Sequence, residues 1–396
     1  MREQPPSESA RSFSAPSGGK ARPAYESLVL AATRIAPERA GGLRINAWPF
    51  VELGSARSPI QRYGDGMMCR ICGNGRSNQS YVAKEMMFGL REVFDYFQCA
   101  ECGCLQIAVF PSDMSRYYPP SYYSLAAAPP PWRGRGALRR WARVQRDTFA
   151  VGRRGILGKI LYRVSPNEEL RGAVTKHFPG NGVFLAGISR RSRILDVGCG
   201  SGSFLRMLHA AGFRNVQGVD LFLEKSIAYA DGLRVLKGSL DDCEGEWDVI
   251  MFHHSFEHLP DPLATLTAAA RRLASRGTVL VRVPLVSSYA WEKYAVAWVQ
   301  LDAPRHFFLH SPRSLARAAE QAGLRIVQVT YDSTDFQFWG SEQYLRDIPL
   351  LGKGSYGQGL EGSIFSPEEI QRYRTLADDL NTNERGDQAA FYLKRA

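Results

Sequence analysis

Ile194-Leu195-Asp196-Val197-Gly198-Cys199-Gly200-Ser201-Gly202-Ser203 runs from a short apolar stretch directly into three glycines, each separated by one residue. Phe204, Leu205, Met207 and Leu208 follow on one side of a helical repeat. The stretch therefore predicts a buried strand, a glycine turn and an amphipathic helix. That unit is how an α/β sheet holds a nucleotide. Glycine lets the backbone approach a ligand closely, and the start of the helix offers unpaired N–H groups beside it. Asp196, Gly198, Cys199, Gly200 and Gly202 are the candidate ligand contacts of this turn.

Downstream, residues 216–220 read as a second strand ending in Asp220, 18 residues beyond Gly202. A carboxylate at that strand end can accept hydrogen bonds from both hydroxyls of a ribose. Asp220 is the ribose candidate, with Leu221 next to it. A third strand near residues 233–236 leads to residues 238–242, where Ser239 and Leu240 are candidates to meet an adenine. Residues 247–253 form a fourth strand ending in His253, residues 278–283 a fifth and residues 324–331 a sixth. Residues 389–394 are short and alternating enough to be a seventh strand, pairing antiparallel in an otherwise parallel sheet. The glycine spacing is G-x-G-x-G rather than the G-x-G-x-x-G of dinucleotide sites. It suits S-adenosylmethionine better than NAD and disfavours an NAD-dependent oxidoreductase.

The loop after the fourth strand carries the acid–base chemistry. Removing a proton from an acceptor at neutral pH suits a histidine, and His258 is the first candidate base. Glu257 is placed to orient it or a substrate hydroxyl, with His254 and His306 behind. His254 to His258 also spells H-x-x-E-H, a metalloprotease pattern that needs one continuous helix. Pro260 and Pro262 follow at once and forbid that helix.

Upstream, Cys69, Cys72, Cys99 and Cys102 form two C-x-x-C-G knuckles with 26 residues between them. Four thiolates close a tetrahedral shell, which predicts structural Zn²⁺ rather than a catalytic metal. Two disulfides are the competing reading. Cys104 is a spare thiol. Residues 93–98 alternate as a strand of a zinc ribbon would. Residues 1–66 are rich in Ser, Pro, Arg, Ala and Gly and read as a largely disordered extension. Met67 and Met68 offer an alternative start behind it.

The net charge of +11 is concentrated. Residues 111–192 hold 15 Lys/Arg against 4 Asp/Glu. Within them, residues 138–149 predict a basic helix with Trp141, Val144 and Phe149 along one side and Arg139, Arg140, Arg143 and Arg146 solvated. Weak contact with a membrane surface is expected there. No apolar run is long enough to span a bilayer and no compact signal peptide is present, so a cytoplasmic, bacterial setting is expected. Residues 289–298 are aromatic and read as either a substrate lid or core. Residues 332–343 read as either a sugar-stacking run or a packed loop.

Residues 194–202, Gly218-Val219-Asp220, residues 252–262 and residues 304–308 resemble the class I S-adenosylmethionine-dependent methyltransferases, over roughly residues 193–331. The cysteine pairs in front make the chain similar to bacterial methyltransferases of sugar and polysaccharide pathways. The resemblance implies a doubly wound, seven-stranded Rossmann-like α/β sheet preceded by a small zinc-ribbon-like domain. The expected organisation is an extension (1–66), a zinc-binding domain (67–110), a basic connector (111–180), the cofactor-binding core (181–332), an insertion or substrate cap (333–387) and a last core strand (388–396). It also implies that the glycine turn wraps the cofactor, Asp220 holds its ribose and Glu257-His258 stand where a base belongs. Sugar C-methyltransferases carry a long C-terminal α/β domain that is lacking here, so the acceptor atom does not transfer with the resemblance. The expected acceptor is a small molecule, a nucleotide-linked sugar or a glycan, with no nucleic acid. The alternative is a zinc-ribbon module that binds nucleic acid or protein and uses the α/β domain to sense cofactor.

Overall fold

A computed structural model describes residues 67–119, 136–152, 155–180 and 182–396. The expected extension 1–66 lies outside the described residues. Two sheets organise the rest. The smaller contains β1 (Gln79–Lys84), β2 (Val93–Gln98) and β3 (Leu105–Ile107), with β10 (Phe308–Leu309) on its edge. The larger contains β4 (Ile194–Val197), β5 (Val216–Asp220), β6 (Ile227–Ala228), β7 (Arg234–Lys237), β8 (Trp247–His253), β9 (Leu273–Pro284), β11 (Leu324–Tyr331) and β12 (Gln388–Arg395). Its order is β11-β12-β9-β8-β4-β5-β7-β6.

The large sheet has eight strands where the sequence predicts seven. The extra one arises because the chain between β5 and β7 turns back on itself, with Gly232 N–H bonded to Tyr229 O at 2.9 Å. Ile227 and Ala228 thereby pair antiparallel with Val235 and Arg234. β12 is antiparallel to both β11 and β9, as expected. From β4 the chain moves one way to β5 and β7, then returns to place β8 on the other side of β4. Sheets of this kind bind ligands at that reversal, outside the carboxyl ends of the strands.

The central strands are buried on both faces, which is why they read as continuous apolar runs. Ile250 and Phe252 join one core while Val249 and Met251 join the other, because successive strand residues point to opposite faces. The second core is closed by α1 (Ala137–Gly152), α2 (Ile156–Val164), α3 (Glu168–His177), the single turn α4 (Gly182–Leu185) and α5 (Ser203–Ala210). α6 (Pro262–Arg272) and α8 (Pro312–Gln321) cover the first, along with the cysteine-bearing sheet. That sheet is knit into the core by β10, which pairs antiparallel with β3 through Phe308↔Gln106 and Leu309↔Leu105.

Three local expectations change. On α1, Trp141 is exposed and the buried residues are Asp147, Ala150 and Val151. Arg146 is only partly solvated because it pairs with Asp147 at 2.8 Å. The aromatic run around α7 (Tyr289–Tyr294) is core, with Trp291 and Trp298 edge to face and Trp298 Nε1 donating to Asp387. The polar-aromatic run becomes α9 (Phe336–Leu345), whose Phe338 and Trp339 are buried, so its rings fill space rather than meet a ligand. α10 (Pro367–Thr382) begins with the expected capping box at Ser366. Among the described residues no helix is long and apolar enough to cross a membrane.

Candidate active site

The donor half of the site is backbone held by two carboxylates. Gly198 has φ +78°, and a Cβ there would come within 2.3 Å of Ser255 Cβ, so only glycine fits. Ser255 Oγ in turn donates to Val197 O at 2.5 Å, locking the glycine turn to the loop after β8. Asp220 Oδ2 accepts from Gly200 N and its Oδ1 from Phe222 N, both at 2.8 Å. Burial nonetheless holds Asp220 above the usual carboxylate range. Asp196 is buried with Oδ1 lacking a hydrogen-bond partner, and burial beside Asp220 raises it to about 8. An orphaned buried oxygen at the mouth of a glycine turn suits a polar ligand group.

The remaining donor-side candidates differ in what they offer. The Cys199 sulfur packs toward Gly218 inside the sheet, 2.3 Å from where a Cβ would sit, leaving its backbone as the ligand-facing part. Ser239 spends its hydroxyl capping the turn at Leu240–Asp242, and Leu240 is buried. Leu221 is half exposed beyond Asp220. His253 stacks on His177 at 4.1 Å, and its Nε2 lies 3.2 Å from Lys176 O. His177 also stacks on Phe204, at 3.7 Å, so the end of α3 sits over the start of α5.

The acceptor half is assembled from distant segments. Phe256–His258 is a single 3₁₀ turn, which removes the helix a metalloprotease pattern would need. His254 has φ +52°, an unusual conformation for a histidine, and is hydrogen-bonded through Nε2 to Arg282 Nη1. Arginine only donates, so His254 carries its proton on Nδ1, 3.3 Å from Glu257 Oε1. Arg282 is itself paired with Asp332 at 2.7 Å. His258 Nδ1 lies 2.8 Å from Arg305 O. A carbonyl only accepts, so Nδ1 is the protonated nitrogen and Nε2 carries the lone pair. The same reasoning applies to His306, whose Nδ1 meets Gln300 O at 2.7 Å. Its Nε2 lies 3.9 Å from Glu257 Oε1 and 3.8 Å from Asp302 Oδ2.

These environments invert the simple expectation from unperturbed values. Burial, followed by the neighbouring His306, lowers His258 to about 3, while burial raises Glu257 to about 8. The imidazole is thus neutral and able to accept a proton, and the carboxyl is the group matched to neutral pH. Asp302 stays below its usual value because Arg305 overcomes its burial, so it is the ionised partner that would stabilise a protonated His258 or His306. Glu257, His258 and His306 also offer one ligand atom each within 4.8 Å of one another, a set able to take a cation.

Sequence reading did not find Tyr118, Arg282, Asp302 or Arg305. Tyr118 Oη lies 3.1 Å from His258 Nδ1, and its ring stacks on Phe222 at 4.4 Å, joining the two halves. Arg305 is wholly buried, bonded to Asp302 at 2.6 Å and to Glu85 of the cysteine-bearing segment at 2.9 Å. The run at 304–308 carried the only available signal, and it named His306 rather than its neighbour.

The four knuckle cysteines converge. Cys69 and Cys102 Sγ are 3.5 Å apart, as are Cys72 and Cys99 Sγ, and all four lie within 4.8 Å of one another. Tetrahedral Zn–S bonds of about 2.3 Å require sulfurs about 3.8 Å apart. The knuckles are alike: Gly73 N bonds Cys69 O and Gly103 N bonds Cys99 O, each at 2.9 Å. Gln106 Nε2 and Ile71 N both point at Cys69 Sγ, and Cys69 is lowered to about 5, chiefly by Cys102. Donors aimed at sulfur favour thiolate, the form that binds metal. All four thiols are free, so the disulfide reading fails. Cys104 is buried, bonding Leu105 O.

Residues 168–329 match the family model described as a methyltransferase domain. Ubiquinone biosynthesis O-methyltransferase of Bordetella avium is 32% identical over 160 residues, covering 35% of this chain and 65% of that protein. The protein of the same name from Aromatoleum aromaticum is 28% identical over 155 residues, with the same coverage. The chain spans just under two thirds of the length of these relatives. Among solved structures, a cyclopropane synthase from Mycobacterium tuberculosis aligns with a TM-score of 0.35 at 17% identity, covering 58% of this chain and 84% of that one.

Proposed function

With residues 168–329 a class I S-adenosylmethionine-dependent methyltransferase domain, we propose that the chain transfers a methyl group from S-adenosylmethionine to a hydroxyl of a small-molecule acceptor. The observation that carries this is the pairing of a glycine turn and Asp220 with a buried Glu257-His258-His306 group across the sheet reversal. The turn at residues 198–202 and Asp196 would hold the methionine end, and Asp220 the ribose. When bound, the cofactor supplies a methyl already activated on a sulfonium. What remains for the chain is to align the acceptor, exclude water and take its proton.

His258 would take that proton on Nε2, the nitrogen left free by Arg305 O. Ionised Asp302 would steady the resulting charge, and Glu257 would orient the hydroxyl. Oxygen as the acceptor atom draws on the printed names of the O-methyltransferase relatives. The nucleotide-sugar or glycan class suggested by the cysteine pairs has no counterpart in those names, and it stands only as one member of the acceptor panel to test. The four cysteines would hold one structural zinc, which secures the sheet whose Glu85 anchors Arg305.

The test is product mass spectrometry with labelled cofactor and a panel of catechols, phenols and nucleotide sugars. Label transfer to a hydroxyl is expected, and cofactor binding without transfer to any member would sink the reading. Metal analysis should return about one zinc per chain. A folded, metal-free protein would remove the zinc assignment alone.

A further inference from the structure

Apolar side chains are not left evenly on the surface. Of the large hydrophobic residues that are exposed among the described residues, Leu138, Trp141, Ile156, Leu157, Ile160 and Val164 all fall on α1 and α2, at 42% to 83% exposure. Single exposed apolar residues are ordinary, whereas a cluster marks a contact surface. On α2, Ile156, Ile160 and Val164 repeat every four residues, so they form one stripe with Leu157 beside it. The helix turns its other side to α1, where a Cβ on Gly158 would meet Gln145 O at 2.5 Å and Phe149 Cβ at 2.8 Å. Leu138 and Trp141 lie on the same side of α1 as Gln145 and Phe149, at i, i+3, i+7 and i+11, beyond the point where α2 crosses.

The charge around the stripe is of one sign. Residues 137–164 contain eight Lys/Arg and one acidic residue, Asp147, which is buried against Arg146. Arg139, Lys159 and Arg163 are exposed, and the last two flank the stripe directly. An exposed apolar stripe fringed by basic residues, with Trp at one end, is complementary to an anionic lipid surface: apolar side chains enter the acyl boundary while the cations meet headgroups.

We infer that α1 and α2 form a docking face for an anionic membrane surface, carried chiefly by the α2 stripe. The inference stands apart from the methyl-transfer reading, since neither helix contributes to the candidate site. α3 connects the face to that site by ending in His177, stacked on Phe204 and His253. A protein held this way would keep its pocket close to acceptors carried in the bilayer.

The test uses the full chain and sucrose-loaded vesicles. Sedimentation with phosphatidylcholine vesicles containing about 30% phosphatidylglycerol should exceed that with phosphatidylcholine alone at least tenfold, the excess falling with salt. The triple variant I156S/I160S/V164S should lose at least tenfold in partitioning while keeping its circular dichroism and melting temperature, since these are surface positions. K159E/R163E should lose most of the preference for anionic vesicles. No sedimentation of the wild type, or sedimentation unchanged in the triple variant, would overturn the inference. So would light scattering that finds a dimer converted to monomer by the triple variant, because the face would then belong to a second copy.

Discussion

The two halves of the candidate site are built on different principles. On the donor side, Asp196, the glycine turn and Asp220 all come from one strand-turn-helix-strand unit, residues 194–220, and backbone geometry does most of the work. The acceptor side collects Tyr118, Arg282, Arg305, His306 and Asp332 around the loop at 254–258, from segments more than 200 residues apart. A site of the first kind is written locally and tolerates little change in sequence. One of the second kind depends on side chains that long-range packing holds in place, so it should fail separately.

The largest separation is expected for His258→Ala. Loss of a positioned base costs roughly 10²–10⁴ in turnover, while cofactor affinity measured by calorimetry should stay within about threefold. Full activity would remove His258 as the proton acceptor, and a parallel loss of cofactor binding would erase the division between halves.

Asp220→Ala tests the same division from the other side. Removing a carboxylate that accepts charge-assisted bonds of roughly 1.5–3 kcal/mol each should weaken cofactor binding about 100-fold. Part of that loss would come through the turn, because Asp220 also holds Gly200 N and Phe222 N. Unchanged affinity would end the ribose assignment.

This division also decides what could be read from sequence. β4, β5, β8 and β11 fall where apolar runs and strand-end signals put them, because parallel central strands are buried on both faces and stand out against polar flanks. The knuckles were legible for a related reason: metal geometry requires a fixed local spacing. β6 was not, since a two-residue strand has no periodicity to detect. Arg282 was hidden within the apolar run 278–283, and its role exists only because β9 brings it beside His254 and Asp332. Trp141 misled because amphipathic spacing marks a face without saying what covers it.

Acidification should affect the acceptor side next. Burial lowers His177, His258 and His310 to about 3 and holds His253 and His254 well below their ordinary value. Below pH 6.5 the unfolded chain therefore takes up protons that the native one refuses, and stability falls as pH drops from about 6.5 toward 3. Glu257 and Asp196, raised to about 8, act oppositely: the native state keeps protons that the unfolded chain releases above about 4, so stability falls as pH rises toward 8. Five groups outweigh two on the acid side. The melting temperature should peak near pH 6.5 and drop by roughly 5–10 °C by pH 5. A flat profile would mean that these histidines are not buried as neutral groups.

The smallest effect is expected where the halves meet. Tyr118 stacks on Phe222, next to the donor-side carboxylate, and its hydroxyl reaches His258 Nδ1. Because that nitrogen already donates to Arg305 O at 2.8 Å, the tyrosine oxygen can only share the same proton, and sharing is worth less than a bond of its own. Tyr118→Phe keeps the stack and removes the shared acceptor, so turnover should fall about three- to tenfold with cofactor affinity unchanged. Tyr118→Ala removes the stack as well and should weaken both. If Tyr118→Phe instead costs as much as His258→Ala, the hydroxyl is part of the proton path, and the boundary between the halves runs through Tyr118 rather than beside it.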